Sequence, residues 1–193
     1  MKDQITINGH HDAFRAYIAR PEALPAPAVV VLQELFGLNA DIREKCDELA
    51  EQGFIAVAPD LFWRQEPGVD LSVRSEPDWQ HGLRLYQAYD RESGVRDIMD
   101  TADTVANMPE CTGKIAVLGY CLGALMTFLT AVRYRVDAAV AYHGGDTEKY
   151  SRRARRFPCA ADEASGRGGR VHFQGCPSRD QGGTRQQTKR DRV

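Results

Sequence analysis

The sequence predicts an α/β fold within residues 1–150, with a parallel-dominated sheet that carries helices on both faces. Short runs rich in Val, Ile and Ala recur along this region, which is typical of strands buried on both faces. Longer segments between them carry apolar residues at every third or fourth position, as amphipathic helices do. Because strands and helices alternate, we expect right-handed crossovers between parallel neighbours.

The first elements are a hairpin followed by two buried strands around a helix. A turn-rich segment, Asn8 to Asp12, separates two short runs and predicts the hairpin. Gly53 is a helix-ending residue that stands directly before the second buried strand. The expected elements are strands at 4–7 and 14–19, a strand at Ala28–Gln33, a helix at Asp41–Gln52 and a strand at Phe54–Ala58.

The same alternation resumes after a long connection rich in Pro, Gly and charged residues, Leu61 to Pro77. Arg91 to Gly94 are expected to separate two helices, and a further helix is expected to leave the third buried strand without a loop. The expected elements are helices at Asp78–Asp90 and Val95–Ala106, a strand at Lys114–Tyr120, a helix from Leu122 to Leu129 and a strand at Asp137–Tyr142.

The charge of the chain is unevenly divided. The 193 residues together have a formal charge of −2, yet residues 151–193 hold ten Arg and one Lys against four acidic residues. This segment has few large apolar residues and no strand or helix period, so it is predicted to be a disordered tail. Its Arg, Gly, Pro, Ala and Ser content is also typical of GC-rich DNA read out of frame, which makes a frameshift near residue 151 the alternative origin.

Composition argues against several classes of protein. No apolar run approaches the ~18–20 residues of a membrane span, and Met1 to Gln4 open no signal peptide. Five cysteines without a Cys-x-x-Cys pair predict free thiols in a reducing cytoplasm, with neither a disulfide scaffold nor a metal site. The basic tail could attract nucleic acid, but it lacks interleaved aromatic residues, so we do not expect a nucleic-acid partner.

One pentapeptide carries a chemical signature. Gly119-Tyr120-Cys121-Leu122-Gly123 joins a predicted strand directly to a predicted helix, the context of a nucleophile elbow with Cys in place of Ser. The turn forces strained backbone on Cys121 and places its sulfur at a helix N-terminus, where the helix dipole favours the thiolate. The alternative is a buried structural cysteine between two glycines that allow close helix packing.

Glu34 is the second candidate residue. It follows the run Val-Val-Val-Leu-Gln, at the carboxyl end of a predicted strand, where α/β sheets hold their active sites. A buried charge is costly unless it is partnered, so Glu34 is expected at a site rather than in the core. The alternative is a solvated glutamate in a loop.

These residues resemble the dienelactone hydrolase family, the carboxymethylenebutenolidases, which implies an α/β-hydrolase fold. The resemblance runs from about residue 3 to about residue 150, and residues 151–193 do not match. It rests on Gln33-Glu34-Leu35-Phe36-Gly37-Leu38-Asn39, on Pro59-Asp60-Leu61 and on the pentapeptide around Cys121. The matching region corresponds to about two-thirds of a hydrolase domain, so the fold is expected to be C-terminally incomplete.

The resemblance implies hydrolysis of an ester or enol-lactone through an acyl-enzyme on Cys121. Glu34 would hold the resting thiol and exchange partners when substrate arrives. The backbone N–H groups of Leu35 and Leu122 would form the oxyanion hole. The resemblance implies no metal and no organic cofactor, and the binding partner would be a small-molecule ester or lactone.

The family also supplies a histidine base and an aspartate that orients it, and the sequence contains no clear match for either. Both would follow the strand that ends near Tyr142, yet the only histidine in residues 151–193 is His172. The Phe that follows it matches the family pattern only weakly. His143 ends a strand near the site, but the resemblance does not make it the base. The alternative function is therefore a catalytically inactive α/β-hydrolase scaffold, which could bind a ligand in the pocket it keeps.

Substrate contacts are expected from the helix after the long connection. Dienelactone hydrolases proper hold the substrate carboxylate with arginines, and Trp79 stands about where one of these is expected. Arg74 and Arg84 are candidate substitutes. Trp79 and Tyr86 could instead line an apolar pocket, although aromatic residues at helical spacing are also common in cores.

Overall fold

A computed structural model describes residues 2–10, 12–144 and 170–174, the last range by its backbone. The strands are β1 (Lys2–Asn8), β2 (Ala13–Ala19), β3 (Ala26–Leu32), β4 (Ile55–Pro59), β5 (Cys111–Tyr120), β6 (Ala138–Tyr142) and β7 (Arg170–Gln174). The helices are α1 (Ala40–Glu51), α2 (Glu76–Ala88), α3 (Arg91–Ala106) and α4 (Leu122–Arg133). No helix in these ranges combines the length and apolar character needed to cross a membrane.

The strands form one mixed sheet in the order β1-β2-β4-β3-β5-β6-β7. The four central strands are parallel, as predicted. The outer pairings, β1 with β2, β2 with β4 and β6 with β7, are antiparallel. For β1 and β2 the reason is the short turn between them, which reverses the chain and cannot hold a crossover. The carboxyl ends of the central strands therefore meet at one edge of the sheet, which is where such sheets hold their active sites.

Helices cover both faces of the sheet, which confirms the predicted layers. On one face, Ile42 and Cys46 of α1 pack in a cluster with Val29 and Val31 of β3. On the other face, α3 and α4 share a larger core with Val30. Because successive strand residues point to opposite faces, the continuous apolar run in β3 fills both layers.

The interruption expected at Arg91 to Gly94 is wrong, since these residues form the start of α3. The break falls one residue earlier, at Asp90, whose Oδ1 accepts the backbone N–H of Glu92 at 3.0 Å as the helix N-cap. Gly94 lies inside the helix, and a Cβ there would come within 2.0 Å of the Tyr89 hydroxyl oxygen. It is a glycine required by packing and not a helix breaker.

One strand lies within the predicted tail. β7 pairs antiparallel with β6, with Arg170 opposite Tyr142 and Gln174 opposite Ala138, and it is not among the predicted strands. Residues 145–169 and 175–193 lie outside the described residues. Apart from β7, the tail predicted to be disordered or derived from a frameshift, residues 151–193, therefore lies outside the described residues.

Candidate active site

Cys121 lies between β5 and α4 in a backbone conformation that side chains rarely adopt. Its φ is 51° and its ψ is −109°. Such a conformation costs on the order of 1–3 kcal/mol and persists where the surrounding structure enforces it. Cys121 is the N-cap residue of α4, and its carbonyl accepts the N–H of Ala124 at 3.1 Å. The segment therefore has the strand–turn–helix form of a nucleophile elbow.

The two flanking glycines leave no room for a side chain. A Cβ on Gly119 would lie 2.1 Å from the backbone oxygen of Gly123, and a Cβ on Gly123 would lie 2.3 Å from the backbone oxygen of Leu32. The N–H of Gly123 donates to the carbonyl of Gln33 at 3.0 Å. The elbow is therefore held against the end of β3, the strand that leads into Glu34.

The thiol of Cys121 and the carboxylate of Glu34 are coupled electrostatically, and both residues are half-buried. Burial raises the pKa of the Cys121 thiol, the charge of Glu34 raises it further, and a hydrogen bond from the backbone N–H of Leu122 lowers it. The backbone N–H of Leu122, at the start of α4, therefore favours the thiolate, as expected. Burial and the charge of Glu34 act more strongly in the opposite direction, so the pKa of the thiol is raised above its ordinary value.

Glu34 has neighbours that sequence reasoning did not assign to it. Burial raises the pKa of its carboxyl group, Asp41 in the first turn of α1 raises it further, and His143 after β6 lowers it. His143 stands where the sequence placed it, at the carboxyl end of a strand next to the one that leads into Cys121; its effect on Glu34 was not predicted.

The two residues proposed for the oxyanion hole lie on either side of the contact between Gly123 and Gln33. Leu122 follows the nucleophile candidate, and its side chain is fully buried. Leu35 lies two residues beyond Gln33 and is also buried. Because both side chains are anchored in the core, the peptide groups at this edge of the sheet are held in place.

Helix α2 lies against Leu35 and carries Trp79 to the same region. Gly82 makes the contact, since a Cβ there would lie 2.4 Å from the backbone oxygen of Leu35. Trp79 packs edge-on against Phe36, with ring centroids 4.8 Å apart, and remains 44% exposed. Its indole N–H donates to the carbonyl of Val73 at 2.8 Å, which fixes the ring.

Tyr86 and Arg84 occupy different positions on α2. Tyr86 is half-buried against the main core, and the guanidinium of Arg91 lies 5.1 Å from its ring centroid. Arg84 is exposed and forms no hydrogen bond or ion pair within the described part of the chain. It stands two residues beyond Gly82 and so projects from the opposite side of the helix. The structure thus brings Trp79 close to the site but not Arg84.

Among the histidines whose side chains the structure describes, none forms a hydrogen bond with the thiol of Cys121. His10 bonds Asp100 at 2.5 Å, and His81 bonds Glu66 at 2.8 Å. His172 lies in β7, opposite Val140 in the backbone register. Across the described ranges, no group of three His, Cys, Asp or Glu side chains could hold a metal ion.

Comparison with known proteins gives one consistent family. The model of the dienelactone hydrolase family matches residues 14–161. A carboxymethylenebutenolidase of Pseudomonas putida is 38% identical over 172 residues, which are 89% of this chain and 71% of that protein. Carboxymethylenebutenolidase 1 of Cupriavidus pinatubonensis is 38% identical over 136 residues, which are 70% of this chain and 58% of that protein.

Solved structures of similar fold include a member of this family. A proposed dienelactone hydrolase from Klebsiella pneumoniae superposes with a TM-score of 0.64 at 28% identity, over 75% of this chain and 60% of that one. An alpha/beta hydrolase from Penicillium sp. sh18 superposes with a TM-score of 0.58 over 89% of this chain and 61% of that one; at 14% identity it shows the fold alone. This chain belongs to the dienelactone hydrolase family and has the α/β-hydrolase fold.

Proposed function

We propose that this chain hydrolyses ester or enol-lactone bonds of the dienelactone type, with Cys121 as the nucleophile in an acyl-enzyme mechanism. The observation that carries the proposal is the strained turn at Cys121, held between two glycines that cannot be replaced without a clash. The family supports the reaction class, since relatives over most of the chain are carboxymethylenebutenolidases.

The resting site would hold its proton on sulfur. The Glu34 carboxylate and burial both raise the pKa of the Cys121 thiol. Burial in turn raises the pKa of Glu34, which makes its carboxylate a stronger proton acceptor than an exposed glutamate. Glu34 is therefore suited to take the thiol proton when a substrate carbonyl arrives.

In the first step, the sulfur of Cys121 would attack the carbonyl carbon while its proton passes to Glu34. The carbonyl oxygen becomes an oxyanion, and the N–H groups of Leu35 and Leu122 would stabilise it, at about 2.7–4 kcal/mol for one such donor. The tetrahedral intermediate then collapses, the carbon–oxygen bond to the leaving alkoxide breaks, and the alkoxide takes the proton from Glu34. Water would cleave the resulting thioester, releasing the acid and restoring the thiol.

The substrate would rest against α2. Trp79 is 44% exposed and packs edge-on against Phe36, the residue directly after Leu35. We assign Trp79 to the apolar part of the substrate, with Tyr86 further along the same side of the helix. Arg84 remains the least supported of the predicted contacts, since it projects from the other side of α2.

A specific observation favours the alternative, a scaffold that acylates without turning over. Among the described side chains, no histidine is hydrogen-bonded to the thiol of Cys121, and His10 and His81 are bonded to carboxylates elsewhere. In that case Cys121 would react once and remain acylated.

We also propose a reducing location, the cytoplasm. Cys46, Cys111 and Cys121 are free thiols, and a cysteine nucleophile requires the reduced form. Fractionation of cells that express the chain would test this, and recovery of the protein outside the cytoplasm would contradict it.

The test of the reaction is a rapid-mixing assay with p-nitrophenyl acetate. The protein should release about one equivalent of p-nitrophenolate in a burst, Cys121→Ala should release none, and Cys111→Ala, which removes another free thiol, should behave as wild type. Steady turnover after the burst supports the hydrolase, whereas a burst without turnover supports the inactive scaffold. A burst that survives Cys121→Ala would refute the assignment of the nucleophile.

A further inference from the structure

Cys121 and His143 are the two non-glycine residues with positive φ in the described part of the chain, at 51° and 55°. They are neighbours in space, because the N–H of Cys121 donates to the carbonyl of Tyr142 at 3.1 Å and His143 is the next residue. The strain at Cys121 belongs to the elbow. The positive φ at His143 is not part of a recognised turn motif. Backbone conformations of this kind are concentrated at functional sites.

His143 also stands in line with Glu34 and Cys121. Glu34 follows β3, Cys121 follows β5 and His143 follows β6, and these three strands are parallel neighbours in the sheet. The side chain of His143 is exposed, so its ring can exchange protons with solvent. A positive charge on this ring lowers the pKa of the Glu34 carboxyl group.

The other groups around Glu34 come from α1 and from the end of β5. Asp41 raises the pKa of Glu34, and Tyr120 has its own pKa raised, mainly by burial, and stays neutral at physiological pH. Lys45 acts on Tyr120 from α1. Among the side-chain types around Glu34, histidine is the one whose charge ordinarily changes between pH 5 and 8.

We propose that His143 is a positioning residue for Glu34, and that protonation of its imidazole controls how readily Glu34 takes the thiol proton of Cys121. The cationic ring favours the pair in which Glu34 is a carboxylate and Cys121 a thiol. When the ring loses its proton, Glu34 accepts a proton more readily and the thiolate forms more easily. The inference rests on the proposed function for the role of this thiol.

The test follows the thiolate directly, through the rate at which iodoacetamide alkylates Cys121, identified by mass spectrometry of the modified peptide. His143→Asn is neutral and tolerates a positive φ, and His143→Lys carries a permanent charge. At pH 6 the Asn variant should react about three- to tenfold faster than wild type, and at pH 8 the Lys variant about three- to tenfold slower, equivalent to half to one pKa unit. Both differences should shrink in 1 M salt, because the charge is exposed.

Two further variants separate this role from a structural one. In a Glu34→Gln background the His143 replacements should no longer change the alkylation rate, since the carboxylate they act on is absent. His81→Gln, which removes the histidine bonded to Glu66, should leave the wild-type profile unchanged. Circular dichroism confirms that each variant is folded.

Opposite effects of the Asn and Lys variants support the proposal. Effects in the same direction, no effect, or differences that persist with Glu34→Gln would overturn it. Alkylation requires no ester, so a missing burst with p-nitrophenyl acetate would refute the proposed hydrolase and leave this result standing.

Discussion

The N–H of Gly123 donates to the carbonyl of Gln33 at 3.0 Å, and this hydrogen bond joins the turn at Cys121 to the end of β3. Leu122 precedes the donor and Leu35 lies two residues beyond the acceptor. The separation between the two peptide groups proposed for the oxyanion hole is therefore set largely by one backbone contact. That contact requires a residue without a side chain, because a Cβ at position 123 would meet the chain at Leu32.

Gly123→Ala should lower both stability and acylation. Its Cβ would lie 2.3 Å from the oxygen of Leu32, and relief of such a clash costs about 1–3 kcal/mol in the free energy of unfolding. Urea denaturation and the p-nitrophenyl acetate burst measure the two effects. Gly53→Ala is the matched control, since position 53 has a φ of +91° but open space around it, and it should keep the full burst. A full burst in Gly123→Ala would contradict the role of this contact.

Glu34→Gln should lower the pKa of the Cys121 thiol. The negative charge of Glu34 opposes formation of a second negative charge on sulfur, so a neutral amide favours the thiolate. The pH profile of Cys121 alkylation should move to lower pH by about one unit. Ester turnover should nevertheless fall, because the proton acceptor is lost. Glu44→Gln, an exposed replacement on α1, serves as control, and an unmoved alkylation profile in Glu34→Gln would show that the two groups are not coupled.

Trp79→Ala should weaken binding of esters with apolar acyl chains. The ring is 44% exposed above Phe36, and loss of about 1 kcal/mol of apolar contact corresponds to an approximately fivefold rise in KM with little change in kcat. Leu24→Ala removes an equally exposed apolar side chain elsewhere and should have no effect. Trp79→Arg should shift preference toward substrates that carry a carboxylate. Unchanged KM values in both Trp79 variants would remove this residue from the substrate site.

Asp90→Ala should destabilise the protein at neutral pH but not in acid. Asp90 caps α3 by accepting from the N–H of Glu92 at 3.0 Å and from the Ser93 hydroxyl at 2.6 Å. The bond from Ser93, above all, lowers the pKa of this carboxyl group. A carboxyl group with a lower pKa in the folded state stabilises the fold above its unfolded pKa, near 3.9, and loses that effect as pH falls through the folded pKa.

The expected loss for Asp90→Ala is about 1 kcal/mol at pH 7, and it should disappear as the pH approaches 2. Thermal denaturation at both pH values measures it. Asp90→Asn keeps a capping side chain without the charge, so it should cost less at pH 7. The same destabilisation at both pH values would show that the charge of Asp90 contributes nothing.

Much of the fold is predictable from the order of residues, because hydrophobic period is a local property of the chain. β3, α1, β4 and β6 lie within two residues of their predicted ends. The prediction failed where a local signal had a distant cause. Gly94 looks like a helix breaker, yet it is required by the approach of Tyr89. β7 alternates polar and apolar residues, with Val171 and Phe173 between polar neighbours, but it is five residues long and lies in a segment of low apolar content, so composition outweighed its period.

The sequence by itself determined the chemistry available to the site. Gly-x-Cys-x-Gly directly after a strand leaves few conformations for Cys121, and a glutamate after a buried strand end marks the neighbouring position. Only the tertiary structure decided the protonation of these groups. Strands distant in the sequence become neighbours in the order β3-β5-β6, which places Cys121, Glu34 and His143 at one edge. A pKa depends on burial and on charges nearby in space, and neither can be read from the spacing of residues along the chain.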